Sequence, residues 1–217
     1  MSQVKAVIFD IDGTLSPENS WTAFSRDLGS SVAEHLAIYQ DHLTGKIGLD
    51  ESKRMLLKLW QSTGKANKQN IEQMYATWPL RDDALEVVEW LKQKGIRVCL
   101  ITGSVDLYAQ HIAERLGVSD YYANATLVFD EDENLENFDY TTDQADIKLQ
   151  QLREFCARYD ISENECIAVG DSDNDIELFR HTGRGVLIDD GDVAAELKQS
   201  AWRSINQLNK LKDLVIE

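Results

Sequence analysis

The chain alternates short apolar runs with amphipathic stretches over most of its length. Residues 4–9 and 96–101 are nearly continuous in Val, Ile, Leu and other apolar side chains, which is how a strand covered on both faces reads. Residues 166–169 and 185–188 read the same way, and 185–188 is the expected last strand. Helical periodicity occupies 84–94, 105–116, 147–159 and 176–181, with Gly95 and Gly117 closing the first two. Strands separated by helices predict an α/β fold, a parallel sheet with helices on both faces. Two segments break the alternation. Residues 16–79 show only helical runs, at 21–28, 32–43, 51–60 and 70–76, and predict a helical cap inserted after the first strand. Residues 1–15 and 80–217 are then the core. Residues 122–142 alternate loosely around the polar stretch 130–137 and predict a small antiparallel β-hairpin.

Composition narrows the possibilities. A chain of 217 residues, 43% hydrophobic, can bury one substantial core with room for an accessory module. A formal net charge of -16 argues against nucleic acid and anionic membranes as partners. It does not argue against a small phosphate ester, because a bound cation and a nearby lysine reverse the local field. No stretch is long and apolar enough to span a bilayer, and the first strand begins within a few residues of Met1, so a cytoplasmic protein is expected. Cys99, Cys156 and Cys166 form no C-x-x-C pair and read as small buried hydrophobes. His35, His42, His111 and His181 are scattered without metal-ligand spacing.

The chemistry concentrates in two acidic clusters, each just past a predicted strand: Asp10-Ile11-Asp12-Gly13-Thr14, and Gly170-Asp171-Ser172-Asp173-Asn174-Asp175. Crowded carboxylates repel unless a cation neutralises them, and hard oxygen donors suit Mg²⁺. The strands at 4–9, 96–101 and 166–169 end in Asp10, Thr102 and Asp171, at the edge where open α/β sheets bind ligands. Either cluster alone reads equally well as an acidic turn; together they point to a metal-dependent enzyme acting on phosphate.

Taken in order, Asp10 to Thr14, then Leu100-Ile101-Thr102-Gly103-Ser104, then Lys148, then Gly170 to Asp175 resemble the four motifs of the haloacid dehalogenase superfamily. The helical insertion and the placing of Lys148 are similar to its phosphoserine phosphatase-like branch. The resemblance covers nearly the whole chain. It implies a Rossmann-like core, a mobile cap, Mg²⁺, and hydrolysis of a small phosphorylated metabolite through an aspartyl-phosphate, by a monomer or homodimer.

On that resemblance Asp10 is the nucleophile, and Asp12 protonates the leaving alkoxide and later deprotonates water. Thr102, Gly103 and Ser104 hold the phosphoryl group, Thr102 through its hydroxyl and Gly103 through its N–H. Thr102 and Ser104 read equally well as N-caps of the following helix. Lys148 balances the charge of Asp10 and the phosphoryl group. The metal falls to Asp10, Asp171 and the backbone carbonyl of Asp12, with Asp175 and Asn174 in support. A dehalogenase acting on carbon lacks an acid at the position of Asp12, whereas a phosphomutase keeps all four motifs and stays open.

Substrate identity is less legible. In phosphoserine-specific enzymes of this branch a glutamate after the first motif meets the amine, and a cap arginine meets the carboxylate. Counted without gaps, those places fall on Asn19 and Leu56, with Glu18 and Arg54 as neighbours that a register shift would bring in. The predicted cap is also rich in aromatics, among them Trp21, Tyr39 and Trp60, which read as cap core or as the lining of a larger pocket.

Overall fold

The computed structural model describes residues 3–191 and 193–216. Its centre is a seven-stranded sheet in the order β4-β3-β2-β1-β5-β6-β7. The strands are β1 (Ala6–Phe9), β2 (Arg97–Val105), β3 (Asp120–Phe129), β4 (Leu135–Tyr140), β5 (Cys166–Gly170), β6 (Gly185–Ile188) and β7 (Arg203–Ile205). All neighbours pair in parallel except β4, which runs antiparallel to β3.

Strand alternation splits the core into two layers, as the period of two requires. Val7 and Phe9 of β1 face α5 (Ala84–Gln93) and α6 (Asp106–Leu116). Ala6 and Ile8 face α7 (Gln144–Tyr159) and α8 (Ile176–Thr182). Every residue of β1 and β5 is buried, which explains their unbroken apolar sequence. Phe9 lies level with Leu100 of β2 and with Val169 of β5. The segments that follow these strands therefore leave the sheet side by side.

Between β1 and α5 stand α1 (Ser20–Leu28), α2 (Val32–Leu43), α3 (Leu49–Gln61) and α4 (Lys68–Ala76). Asn19, Ser31 and Asn67 cap α1, α2 and α4 by accepting backbone N–H bonds, the ordinary use of such residues at helix starts. The buried side of these helices is aromatic. Trp60 packs edge-on to Phe24 at 4.9 Å and against Phe138 of β4 at 5.2 Å. Tyr75 and Trp78 both reach Tyr108 of α6 at 5.2 Å. One apolar cluster thus runs from the inserted helices into the sheet face. Backbone bonds add to it: Leu135 N–H donates to Ala66 O, and Lys68 N–H to Glu133 O, each at 2.9 Å.

One expectation changes. The strand at 185–188 is not the last, because α9 (Ala195–Ser200), β7 and α10 (Leu211–Ile216) follow it. β7 is three residues long with exposed or half-buried side chains, so it carries no apolar run to read. The expected antiparallel hairpin is present as β3 and β4, and β3 also pairs in parallel with β2, which makes β4 the sheet's edge. Among the described residues no helix is long and apolar enough to cross a membrane.

Candidate active site

Asp10 follows β1, its N–H donating to Val169 O at 2.9 Å, and its side chain is buried. The turn behind it depends on Gly13, whose φ of +68° is costly for any residue with a Cβ. A Cβ there would also stand 2.0 Å from Asp171 Oδ2, so the first motif and the last can approach only across a glycine. Gly170 does the same for Asp175, whose Cγ would lie 2.3 Å from an added Cβ.

Among the described residues, carboxylate oxygens of Asp10, Asp171 and Asp175 lie within 4.8 Å of one another. Lys148, reaching in from α7, is fully buried and donates to Asp10 Oδ1 at 2.9 Å, Asn174 Oδ1 at 2.7 Å and Asp175 Oδ1 at 2.7 Å. The other oxygen of Asp175 accepts from the N–H groups of Asp171 and Ser172 at 3.1 and 3.2 Å. Asp175 is thereby committed to orienting the lysine and the loop. Thr14 Oγ1 donates to Asp171 Oδ1 at 3.2 Å.

Asp12 behaves differently from its neighbours. Its carboxylate turns toward the first residue of α1, where Ser20 donates to Oδ2 from its N–H at 2.9 Å and from its hydroxyl at 2.5 Å. Oδ1 is buried without a hydrogen-bond partner. One oxygen is therefore clamped, and the other lies buried near the Tyr108 hydroxyl, which also lacks a hydrogen-bond partner. Ser20 Oγ also lies 2.6 Å from Ser104 Oγ, joining the helical insertion to the second motif.

Thr102 and Ser104 are buried within β2, and Thr102 Oγ1 accepts from Ser104 N–H at 3.2 Å. Neither caps α6, which starts after Val105 with no side-chain cap. β2 simply runs four residues further than its apolar stretch indicates. Gly103 lines the same cavity as Asp10.

Electrostatics set the site apart from a surface turn. Burial raises the pKa of Asp10, Lys148 pulls it back, and the neighbouring carboxylates push it up again. Burial likewise raises Asp12 against the bonds from Ser20. Asp171 is pushed up to about 7, by burial and then by Asp175. Burial alone would lower the Lys148 ammonium, but Asp10 and Asp175 outweigh it and hold it charged. Three carboxylates, with Asp12 beside them and one lysine among them, leave the site short of positive charge, and all its donors are hard oxygens. This donor set fits a small divalent cation.

Two residues that the motifs do not flag complete the frame. One is Ser20. The other is Arg81, which donates to Thr14 O at 2.8 Å and Gly13 O at 2.7 Å while pairing with Asp190. Arg81 clasps the loop after β1 from a distant part of the chain, and Ser20 closes it from the first residue of α1. The only trace of either in the sequence is a polar residue at a predicted helix edge.

A family model for haloacid dehalogenase-like hydrolases matches residues 4–183. The chain belongs to the haloacid dehalogenase-like hydrolases. It is similar to the phosphoserine phosphatase of Albidiferax ferrireducens, with 28% identity over 99% of this chain and 90% of that one. The phosphoserine phosphatase of Methanocaldococcus jannaschii is 25% identical, over 82% of each chain. Solved structures of haloacid dehalogenase-like hydrolases share the fold. A phosphoserine phosphatase holding a phospho-aspartyl intermediate analogue superposes with a TM-score of 0.75 at 21% identity, covering 98% of this chain and 99% of that one. A hydrolase from Salmonella enterica serovar Typhi gives 0.78 at 23% identity, covering 94% and 68%.

The positions weighed for phosphoserine recognition separate clearly. Asn19 Oδ1 accepts from Thr22 N–H at 3.1 Å as the cap of α1. Leu56 is buried and lines the cavity. Glu18 is held by Arg26 at 2.8 Å on the exposed surface, and Arg54 donates to the carbonyl of Asp50; neither lines the cavity.

Proposed function

We propose that the protein is a Mg²⁺-dependent phosphatase that hydrolyses a phosphate monoester through an aspartyl-phosphate on Asp10. The observation that supports this most is the division of labour between Asp10 and Asp12. Asp10 sits in the charged cluster against Lys148, whereas Asp12 stands off it, its Oδ2 held by Ser20 and its Oδ1 buried without a hydrogen-bond partner. A free Asp10 oxygen attacks phosphorus as the ester P–O bond breaks, and Asp12 Oδ1 gives its proton to the departing alkoxide. Water then attacks the aspartyl-phosphate, Asp12 takes the water's proton, and inorganic phosphate leaves with Asp10 restored.

Burial favours the protonated acid that the first step needs. Thr102, Gly103 and Lys148 bind the phosphoryl oxygens, while Asp175 and Asn174 hold Lys148 in place. Asp10, Asp171 and the Asp12 carbonyl would hold Mg²⁺, which supplies charge neutralisation for the dianion. Residues 16–79 form the cap that closes the site to bulk water. The direct test is release of phosphate from p-nitrophenyl phosphate with Mg²⁺ and with excess chelator. No release with Mg²⁺ present, across aryl and alkyl esters, would overturn the proposal.

Asp12→Asn keeps the backbone carbonyl and removes the transferable proton. A loss of roughly 10²- to 10⁴-fold is expected for alkyl phosphates, whose alkoxides leave poorly. The loss should be smaller for p-nitrophenyl phosphate, whose leaving group needs no proton. A burst of p-nitrophenol separates the two steps, and equal loss of burst rate and alkyl-ester turnover would remove Asp12 from the acid role.

The raised carboxylates also make metal binding visible in stability. A carboxyl whose folded pKa lies above its unfolded value keeps a proton that the unfolded chain has released, so stability falls as pH rises through that interval. For Asp171 the interval ends near 7. Metal binding removes this penalty, and its effect should be larger above the interval than within it. The rise in Tm on adding Mg²⁺ is therefore expected to be greater at pH 8 than at pH 6. Taking the difference with and without metal at each pH cancels groups such as His35, whose burial acts in the opposite sense. Equal rises at both pH values would count against a metal seated on Asp171.

A further inference from the structure

The cavity that contains Asp10 has a volume of about 720 Å³ and extends into the helical insertion. Spaces of roughly 300–1,000 Å³ enclose ligands of some twenty or more heavy atoms, far larger than a phosphorylated serine. Its outer wall is built from single faces of regular elements. Leu36 and Tyr39 come from α2, Leu56 from α3, and Phe138 and Tyr140 from alternate positions of β4. Leu36 and Tyr39 are each 48% exposed and line the same cavity as Asp10. Covering such surface with an apolar ligand is favourable in proportion to the area removed from water.

Charge on the wall is equally one-sided. Its carboxylates, Asp10, Asp12, Asp171 and Asp190, all follow strands of the sheet. The insertion contributes none and carries Lys53 instead, whose ammonium lies 3.8 Å from Asp139 and over the Phe138 ring. An ammonium group in the leaving alcohol would therefore meet a cation and lose its water without an anionic partner. Glu18, the acid nearest in sequence to the amine-binding place, is spent on Arg26 outside the cavity.

We propose that the alcohol released at this site is bulky, mainly apolar or aromatic, and bears no ammonium group. This deepens the phosphatase reading and rests on it. Leu36, Tyr39 and Tyr140 determine specificity by covering the carbon skeleton of the ester, with the buried Leu56 and Phe138 behind them.

Propyl phosphate and 3-phenylpropyl phosphate test this, because their alcohols are of nearly equal acidity and any difference reports the wall. The ratio of kcat/KM is expected to favour the phenylpropyl ester by about tenfold or more, with O-phosphoserine below it. Tyr39→Ala and Leu36→Ala change half-exposed positions and should each lower that ratio by about threefold or more. A ratio near one in the native enzyme, or a preference for O-phosphoserine over the phenylpropyl ester, overturns the inference while leaving a phosphatase. A native preference that both variants preserve overturns the assignment to this wall. Hydrolysis of none of the three esters overturns the phosphatase reading, and the inference falls with it.

Discussion

Asp10→Asn is expected to abolish turnover and leave the fold intact. An amide is isosteric with the carboxylate but cannot attack phosphorus, and removing a nucleophile that works as a unit with its neighbours costs at least about 10⁴-fold in kcat. The fold should survive because the charge at this position is not what stabilises it. Burial and the nearby carboxylates already disfavour ionised Asp10, and only Lys148 favours it. Asparagine relieves that repulsion and still offers its oxygen to Lys148 Nζ, now 2.9 Å from Oδ1. Phosphate release from p-nitrophenyl phosphate together with a thermal melt decides the matter. Turnover within about tenfold of the native rate would place the nucleophile elsewhere; lost turnover with a lowered Tm would mean that the residue is structural.

The same residues show why much of the fold was legible in the sequence and where legibility stopped. β1 and β5 are buried on both faces, so their sequences can be little else than continuous apolar runs. The residues just past them are then the first free to be polar, and Asp10 and Asp171 mark that edge of the sheet in the sequence itself. α2 was legible to the residue because Ser31 accepts from Glu34 N–H and closes one end. β2 outran its apolar signal, because Thr102 and Ser104 are polar side chains buried for their hydrogen bonds and not for their hydrophobicity. At the C-terminal end, β7 and the short helices beside it owe their places to neighbours already assembled, and local periodicity carries little of that information.

What stayed hidden at the site is contact across sequence distance. Ser20 on Ser104 and Arg81 on the carbonyls of Gly13 and Thr14 have no local pattern. The substrate question turns on that kind of fact. Glu18 and Arg54 stand within two residues of the places that would read phosphoserine, and only the fold puts both outside the cavity.

Lys148→Ala should bring the largest combined loss, in stability as well as rate. Lys148 is fully buried and satisfies three oxygens at once, on Asp10, Asn174 and Asp175. Removing one partner of a buried pair leaves the other charged and unpaired, which costs about 3–5 kcal/mol. Asp10 and Asp175 would face each other and Asp171 with no fixed cation among them, so part of that cost should return on binding Mg²⁺. The metal-free variant is expected to melt well below the native protein, with saturating Mg²⁺ narrowing the gap. Catalysis should not follow the fold back. On the proposed mechanism the lysine also neutralises the phosphoryl group during transfer, a role that a cation held on other ligands does not fill, and kcat should stay down by at least about 10³-fold. Lys148→Met tests the separation, because a long apolar chain fills the space without the charge. Restored stability with restored activity would reduce Lys148 to a packing element; restored stability with activity still absent assigns its charge to phosphoryl transfer.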